Sequence, residues 1–113
     1  MPGRTASPRR GDIYLAALPD PVGCRPVLLV TRLAAIEVRS AVTVAPITRT
    51  IRGIPSELPL GARHGLKKDS VANCDSLQTI PKGALRRRMG SLPSDDLATL
   101  DRALRFALEI RAP

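Results

Sequence analysis

Apolar residues fall along this chain in short runs, and the spacing within the runs changes only near its end. Asp12-Ile13-Tyr14-Leu15-Ala16-Ala17-Leu18 reads as a first strand. Pro19-Asp20-Pro21-Val22-Gly23 follows as a turn, with prolines presetting φ and Gly23 free to reverse the chain. The stretch from Pro26 to Thr31 (PVLLVT) is continuously apolar and of strand length, which predicts a central, buried strand. Residues 33–40 suit a short helical turn. Val42 to Ile47 (VTVAPI) reads as a third strand, with Pro46 marking a strand edge or a bulge because proline has no N–H for the ladder.

Beyond Ile47 the chain becomes more polar. Residues 49–56 (RTIRGIPS) read as a basic loop or ribbon, and Leu58 to Leu60 as the start of a short strand. Gly61 to Lys68 is a basic turn region, and Ser70 to Cys74 (SVANC) a half-buried strand. Leu77 to Ile80 continues toward a sheet end, and Pro81 to Arg88 is predicted as one short basic helix. From Leu92 to Ile110 the period lengthens. Leu97, Leu100, Leu104 and Leu108 recur on one helical face, with Ala103 and Ala107 beside them. Ser94 is the expected N-cap, and Asp95 and Asp96 suit the positive end of the helix dipole. Many short strands and one long C-terminal helix predict a mainly β (α+β) fold, a small, bent antiparallel sheet or barrel. Residues 1–9 (MPGRTASPR) read as a flexible basic tail ahead of a single domain over 10–113.

Composition sharpens this picture in two places. Tyr14 and Phe106 are the only aromatic residues, so the core has to be aliphatic. The formal net charge is +8, and residues 49–88 hold nine Lys/Arg against three Asp/Glu. Such a basic middle segment predicts an anionic partner, with RNA, DNA, an acidic protein and an anionic membrane surface all open at this level. No apolar run reaches the roughly 18 residues of a membrane span, and the N-terminus lacks the apolar core of a secretory signal. A cytoplasmic protein with no membrane partner is therefore expected. Cys24 and Cys74 form no Cys-x-x-Cys pair and His64 is the only histidine, so no metal site and no cofactor are expected. The two thiols read as a buried free pair, a long-range disulfide being the other arrangement their spacing allows. His64, in a turn region, reads as solvated.

Four segments, taken in order, resemble the MazF/PemK toxins. They are Arg10-Gly11-Asp12-Ile13-Tyr14, Arg25-Pro26-Val27-Leu28-Leu29-Val30, Val44-Ala45-Pro46-Ile47-Thr48 and Gly65-Leu66-Lys67-Lys68-Asp69-Ser70-Val71-Ala72. With the terminal helix, the resemblance covers about residues 10–110. It implies an SH3-like barrel of the CcdB/PemK kind and a homodimer. It implies the toxin of a type II toxin–antitoxin system, which stops translation and growth by sequence-specific cleavage of single-stranded RNA (mRNA, rRNA or tRNA) without a metal. It also implies a cognate acidic antitoxin of MazE type, whose flexible tail lies over the RNA groove. In the family, the Arg of the Arg-Pro motif and the Thr ending the third strand are the catalytic pair. They carry over to Arg25 and Thr48.

The chemistry suits those residue types. Attack by a ribose 2′-OH leaves a 2′,3′-cyclic phosphate and a 5′-OH. It needs a base for the hydroxyl, stabilisation of the phosphorane and a proton for the leaving oxygen. Arg25 offers a permanent positive fork to the phosphoryl oxygens, and Thr48 a hydroxyl that both donates and accepts. Arg49 and Arg52 are expected to contact phosphates, together with Lys67 and Lys68. Arg86, Arg87 and Arg88 suit RNA contact and a solvated helix face equally. Stacking aromatics are missing, so base reading falls to hydrogen bonds, with Ser76, Gln78 and Thr79 as candidates. Many family members carry a longer first loop with Gly-Ser-Glu before the Arg-Pro, where this chain has only Asp20-Pro21-Val22-Gly23-Cys24. Two other classes remain in view. A CcdB-type gyrase inhibitor uses a Trp near its C-terminus, which this chain lacks. A basic barrel that only binds nucleic acid is disfavoured by Arg25 and Thr48 at the family's positions.

Overall fold

A computed structural model describes residues 7–111. These residues form seven strands: β1 (Asp12–Leu18), β2 (Gly23–Leu29), β3 (Ala41–Thr48), β4 (Glu57–Leu60), β5 (Ser70–Asn73), β6 (Gln78–Pro81) and β7 (Leu85–Ser91). Helix α1 (Leu33–Val38) links β2 to β3, and α2 (Ser94–Leu108) follows β7. Every strand pairing is antiparallel. The strand order is β4-β5-β3-β2-β1-β7, with β6 also paired to β3. The result is the expected bent, barrel-like sheet with a C-terminal helix.

Two hydrophobic cores explain why the central strands read as they do. The first gathers Ile13, Leu28, Ala45 and Ile47 with Leu58, Ala72, Leu100 and Ala103. The second gathers Tyr14, Ala16, Val27, Leu29, Val42 and Val44 with Ile36 and Ile80. Val27, Leu28 and Leu29 therefore serve the two cores alternately, and all three are fully buried. A strand covered on both faces needs no polar alternation. Each such side chain contributes about 1.5–3 kcal/mol by leaving water.

Strand β3 is the hub. Its first half, Ala41 to Val44, pairs with β6, and its end, Ile47 and Thr48, pairs with β5. Pro46 falls in the gap between these two pairings, where a missing N–H removes no bond from either neighbour. The turn before β2 ends at Val22; Gly23, at φ 71°, opens β2, which begins ahead of the PVLLVT run and stops at Leu29, short of its end.

Three expectations need correction. Pro81 to Arg88 is not a helix. A 3-10 turn at Lys82–Ala84 leads into β7, which pairs with β1 from Asp12 to Ala16. So short a basic helix cannot sustain itself, whereas β1 without β7 would present an open edge. Ser94 is not the N-cap. Pro93 holds that position with no side-chain cap, and Ser94 is the first helical residue. The leucine stripe of α2 is only partly covered: Leu100 is buried, but Leu108 is exposed, as are Phe106 and Ile110. Residues 1–6 of the expected tail lie outside the described residues. Arg9 already joins the fold, its N–H donating to Asp12 Oδ2 at 2.9 Å.

Candidate active site

Strands β2 and β3 pair Val27 with Pro46, Leu28 with Ala45 and Leu29 with Val44. Two residues beyond Val27 and Pro46, in the same antiparallel sense, come Arg25 and Thr48. Both line one cleft of about 810 Å³. Arg49 and Thr50 extend its wall from the end of β3. Lys67 and Lys68 enter from the segment before β5, and Arg87 from β7.

The electrostatics of this cleft are one-sided. Five cations line it (Arg25, Arg49, Lys67, Lys68 and Arg87), and no carboxylate does. None of the five is in a salt bridge among the described residues. Arg25 is exposed, and among the described residues its Nη1 donates only to the Cys24 carbonyl, at 3.2 Å. Like charges gathered without counter-charges attract an anion. Thr48 is differently placed. Its Oγ1 accepts the Thr50 N–H at 3.1 Å, which fixes the hydroxyl at the strand end and leaves its own proton free to donate.

The structure brings together Arg25, Thr48, Arg49, Lys67 and Lys68. Arg52 instead lines a smaller adjoining pocket that shares Thr48 and Thr50 with the cleft. Ser76, Gln78 and Thr79 are exposed but line neither cavity. Ser76 Oγ accepts from Asn73 Nδ2 at 3.2 Å, and the Thr79 hydroxyl lies 3.0 Å from that of Thr43. Arg87 is the residue that sequence reasoning left undecided. In β7, Arg87 and Met89 both line the cleft, whereas Leu85, across a bulge from Arg87, packs against the second core. Arg88 points elsewhere, its Nε 3.4 Å from Asp12 Oδ1.

Residues 9–108 match the family model described as PemK-like, MazF-like toxin of type II toxin-antitoxin system. The chain belongs to this toxin family. A Mycobacterium tuberculosis relative named Endoribonuclease MazF3 is 42% identical over 86 residues, which are 76% of this chain and 84% of the relative. A solved structure titled Mycobacterium tuberculosis toxin MazF-mt6 superposes with a TM-score of 0.83 at 39% identity, covering 89% of this chain and 99% of that one. Another, titled Endoribonuclease in complex with its cognate antitoxin from Mycobacterial species, gives a TM-score of 0.83 at 28% identity, covering 94% and 99%.

Two side chains of this PemK/MazF toxin differ from expectation. His64 is not solvated; it is only 4% exposed. It ends a 3-10 turn, Ala62–His64. Its Nδ1 accepts the Gly61 N–H at 3.0 Å, and its Nε2 lies 2.6 Å from Asp96 Oδ2. Because Nδ1 is used as an acceptor, the ring proton sits on Nε2 and is donated to Asp96. Arg63 reaches the same carboxylate oxygen. The partner is 32 residues away, so no local pattern announces it. His64 ties the turn before Lys67 to the first turn of α2 and does not line the cleft. The cysteines are free but are not a buried pair. Cys24 is exposed at the cleft, and Cys74 is buried in the first core. Burial, and then the charge of Asp75, pushes the Cys74 thiol up to about 11. Among the described residues no group of three or more His, Cys, Asp or Glu is placed to hold a metal ion, and no helix is long and apolar enough to cross a membrane.

Proposed function

We propose that this chain is the toxin of a type II toxin–antitoxin system and an endoribonuclease that cuts single-stranded RNA in the Arg25–Thr48 cleft. The observation that carries this reading is a cleft with five cations that are in no salt bridge among the described residues, no carboxylate and a fixed threonine hydroxyl on its wall. Arg49, Lys67, Lys68 and Arg87 hold the phosphates flanking the scissile one. The 2′-OH gives its proton to water as its oxygen attacks phosphorus, the bond to the 5′-oxygen breaks, and that oxygen takes a proton from water, leaving a 2′,3′-cyclic phosphate and a 5′-OH. Arg25 stabilises the charge that builds on the phosphoryl oxygens, and the Thr48 hydroxyl donates to the same group. With no carboxylate or imidazole lining the cleft, the rate rests on alignment and charge stabilisation. No ligand set for a metal lines it either, so cleavage proceeds without one. Ser76, Gln78 and Thr79 meet RNA only where the strand runs beyond the cleft.

The partners follow from the same charges. An acidic, flexible antitoxin segment laid along the cleft neutralises the phosphate contacts and displaces RNA. A relative of similar fold is titled as a complex with its cognate antitoxin. Phe106, Leu108 and Ile110 are large apolar side chains left exposed at the end of α2, which a second copy of the chain would cover. The site of action is the cytoplasm, where RNA and antitoxin are met.

The test is incubation of the purified protein with end-labelled RNA in excess EDTA, followed by end-group analysis. Cyclic-phosphate and 5′-OH ends, and no cutting where a 2′-deoxy nucleotide precedes the scissile phosphate, are expected. Cutting that requires magnesium, or that persists at the 2′-deoxy position, overturns the mechanism.

A further inference from the structure

Beside the cleft lies a cavity of about 240 Å³, lined by Pro46, Thr48, Thr50, Arg52, Glu57 and Asn73. Thr48 and Thr50 form a wall common to both spaces. Glu57 opens the edge strand β4 and is only 8% exposed. Its Oε1 accepts two successive backbone N–H groups, those of Arg52 at 3.0 Å and Gly53 at 2.9 Å. Gly53 lies at φ 72°, in the left-handed region that such a converging pair of amides favours. One carboxylate oxygen thus anchors the loop between β3 and β4. The other has no protein partner among the described residues, and Glu57 is in no salt bridge there. No fully buried side-chain oxygen among the described residues lacks a partner, so this second oxygen is not fully buried. The Asn73 amide is already committed, its Oδ1 to the Asp75 N–H and its Nδ2 to Ser76.

We infer that this cavity receives the base next to the scissile phosphate, and that Glu57 selects a base bearing an amino group over uracil. The inference rests on the RNA-cutting reading of the adjoining cleft and names the specificity determinant of that site. A phosphate gripped at Arg25 and Thr48 has its neighbouring base within reach of the shared wall. The cavity is smaller than the roughly 300–1,000 Å³ of pockets for drug-sized ligands, which suits one splayed-out base. Glu57 offsets the charge of Arg52 there, so this space lacks the one-sided positive charge that draws phosphate into the cleft. An ionised carboxylate only accepts hydrogen bonds. Guanine, cytosine and adenine each offer an amino donor on their edges, whereas uracil offers two carbonyl acceptors and a single ring N–H. The anchored oxygen holds the carboxylate in place before RNA arrives.

Glu57→Gln isolates this role. The amide oxygen still accepts from Arg52 and Gly53, because the amide NH2 cannot face those two donors. The NH2 therefore replaces the free oxygen and turns an acceptor into a donor. The experiment is sequencing of cut sites in a random-sequence RNA library treated with wild type and Glu57→Gln, with circular dichroism on both. Wild type is expected to disfavour uracil by at least about tenfold at one position beside the cut. Glu57→Gln is expected to shift that same position toward uracil while every other position keeps its preference. An unchanged base profile overturns the inference, as does a uniform loss of cleavage across all sequences in a folded variant, which would make Glu57 a loop anchor only. If wild type cuts no RNA at all, the nuclease reading fails instead. Anisotropy titrations with single-stranded oligonucleotides differing at one base then test the base preference by itself, and equal affinities for all four bases in wild type overturn it.

Discussion

Gly65 and Gly90 meet backbone to backbone. A Cβ added at Gly65 would overlap the Met89 carbonyl oxygen, and one added at Gly90 would overlap the His64 carbonyl oxygen. This contact clamps the segment leading to Lys67 and Lys68 against β7, which carries Arg87, and so sets the two cationic walls of the cleft against each other. Gly90→Ala is expected to cost about 1–3 kcal/mol, the usual penalty of overpacking. Gly65→Ala should cost more, since Gly65 also lies at φ 86°, which adds about 1–2 kcal/mol for a residue with a Cβ. Gly83 has nothing within 4 Å of its would-be Cβ and serves as the control. Urea denaturation checks the order; a Gly65→Ala protein as stable as Gly83→Ala would contradict it.

The His64–Asp96 bond joins the same segment to α2. Hydrogen bonds to charged groups contribute about 1.5–3 kcal/mol, so His64→Ala and Asp96→Ala should each destabilise by that order. The double variant should lose clearly less than the sum, because both changes remove one interaction. Denaturant melts of the four proteins give the coupling energy. Strict additivity would mean that the two groups act independently.

The two cysteines should separate chemically. Cys24 is exposed and should react with iodoacetamide in the folded protein near pH 8, whereas Cys74, buried and with its thiol raised, should react only after denaturation. The same shift sets a pH dependence. The folded state holds the Cys74 proton more tightly than the unfolded state, so its contribution to stability is full below about pH 9 and is lost as pH rises toward 11. Tyr14, raised chiefly by burial and then by the charge of Asp12, adds to this alkaline loss. Mass spectrometry after alkylation, and melting temperatures from pH 7 to 11, check both statements. Equal labelling of the two thiols in the native protein would refute the first.

Substitutions in the cleft should divide into two kinds. Arg25→Ala and Thr48→Val should each lower kcat by about 10²–10³, the cost of losing one transition-state donor, and leave the fold intact. Arg87→Ala should mainly raise KM and reduce the salt dependence of RNA binding by about one phosphate contact. Single-turnover rates on a labelled RNA, with binding measured at several salt concentrations, distinguish the two. An Arg87→Ala protein with wild-type KM and salt slope would remove Arg87 from the groove.

Local pattern by itself determined the first three strands, the long terminal helix and the aliphatic character of the core. An apolar run of strand length and a spacing of 3.6 residues are properties of neighbours along the chain, and Asp12–Leu18, PVLLVT and the leucines of α2 display them directly. The concentration of positive charge in residues 49–88 was equally plain, and the family resemblance pointed to Arg25 and Thr48, which the fold brings to one cleft. Tertiary structure alone decided the rest, because the deciding partners are distant in sequence. Arg86 to Arg88 became a strand since β1 needed a neighbour, and only the strand's alternation sent Arg87 into the cleft and Arg88 to Asp12. His64 became a buried clasp since Asp96, 32 residues on, closes over it. Glu57 reads along the chain as one more charge in a loop. Its place beside Thr48 exists only because β3, β4 and β5 pair and the amides of Arg52 and Gly53 turn back onto it. A periodicity can be read from one segment, but a hydrogen bond or a shared wall needs two segments and the fold that brings them together.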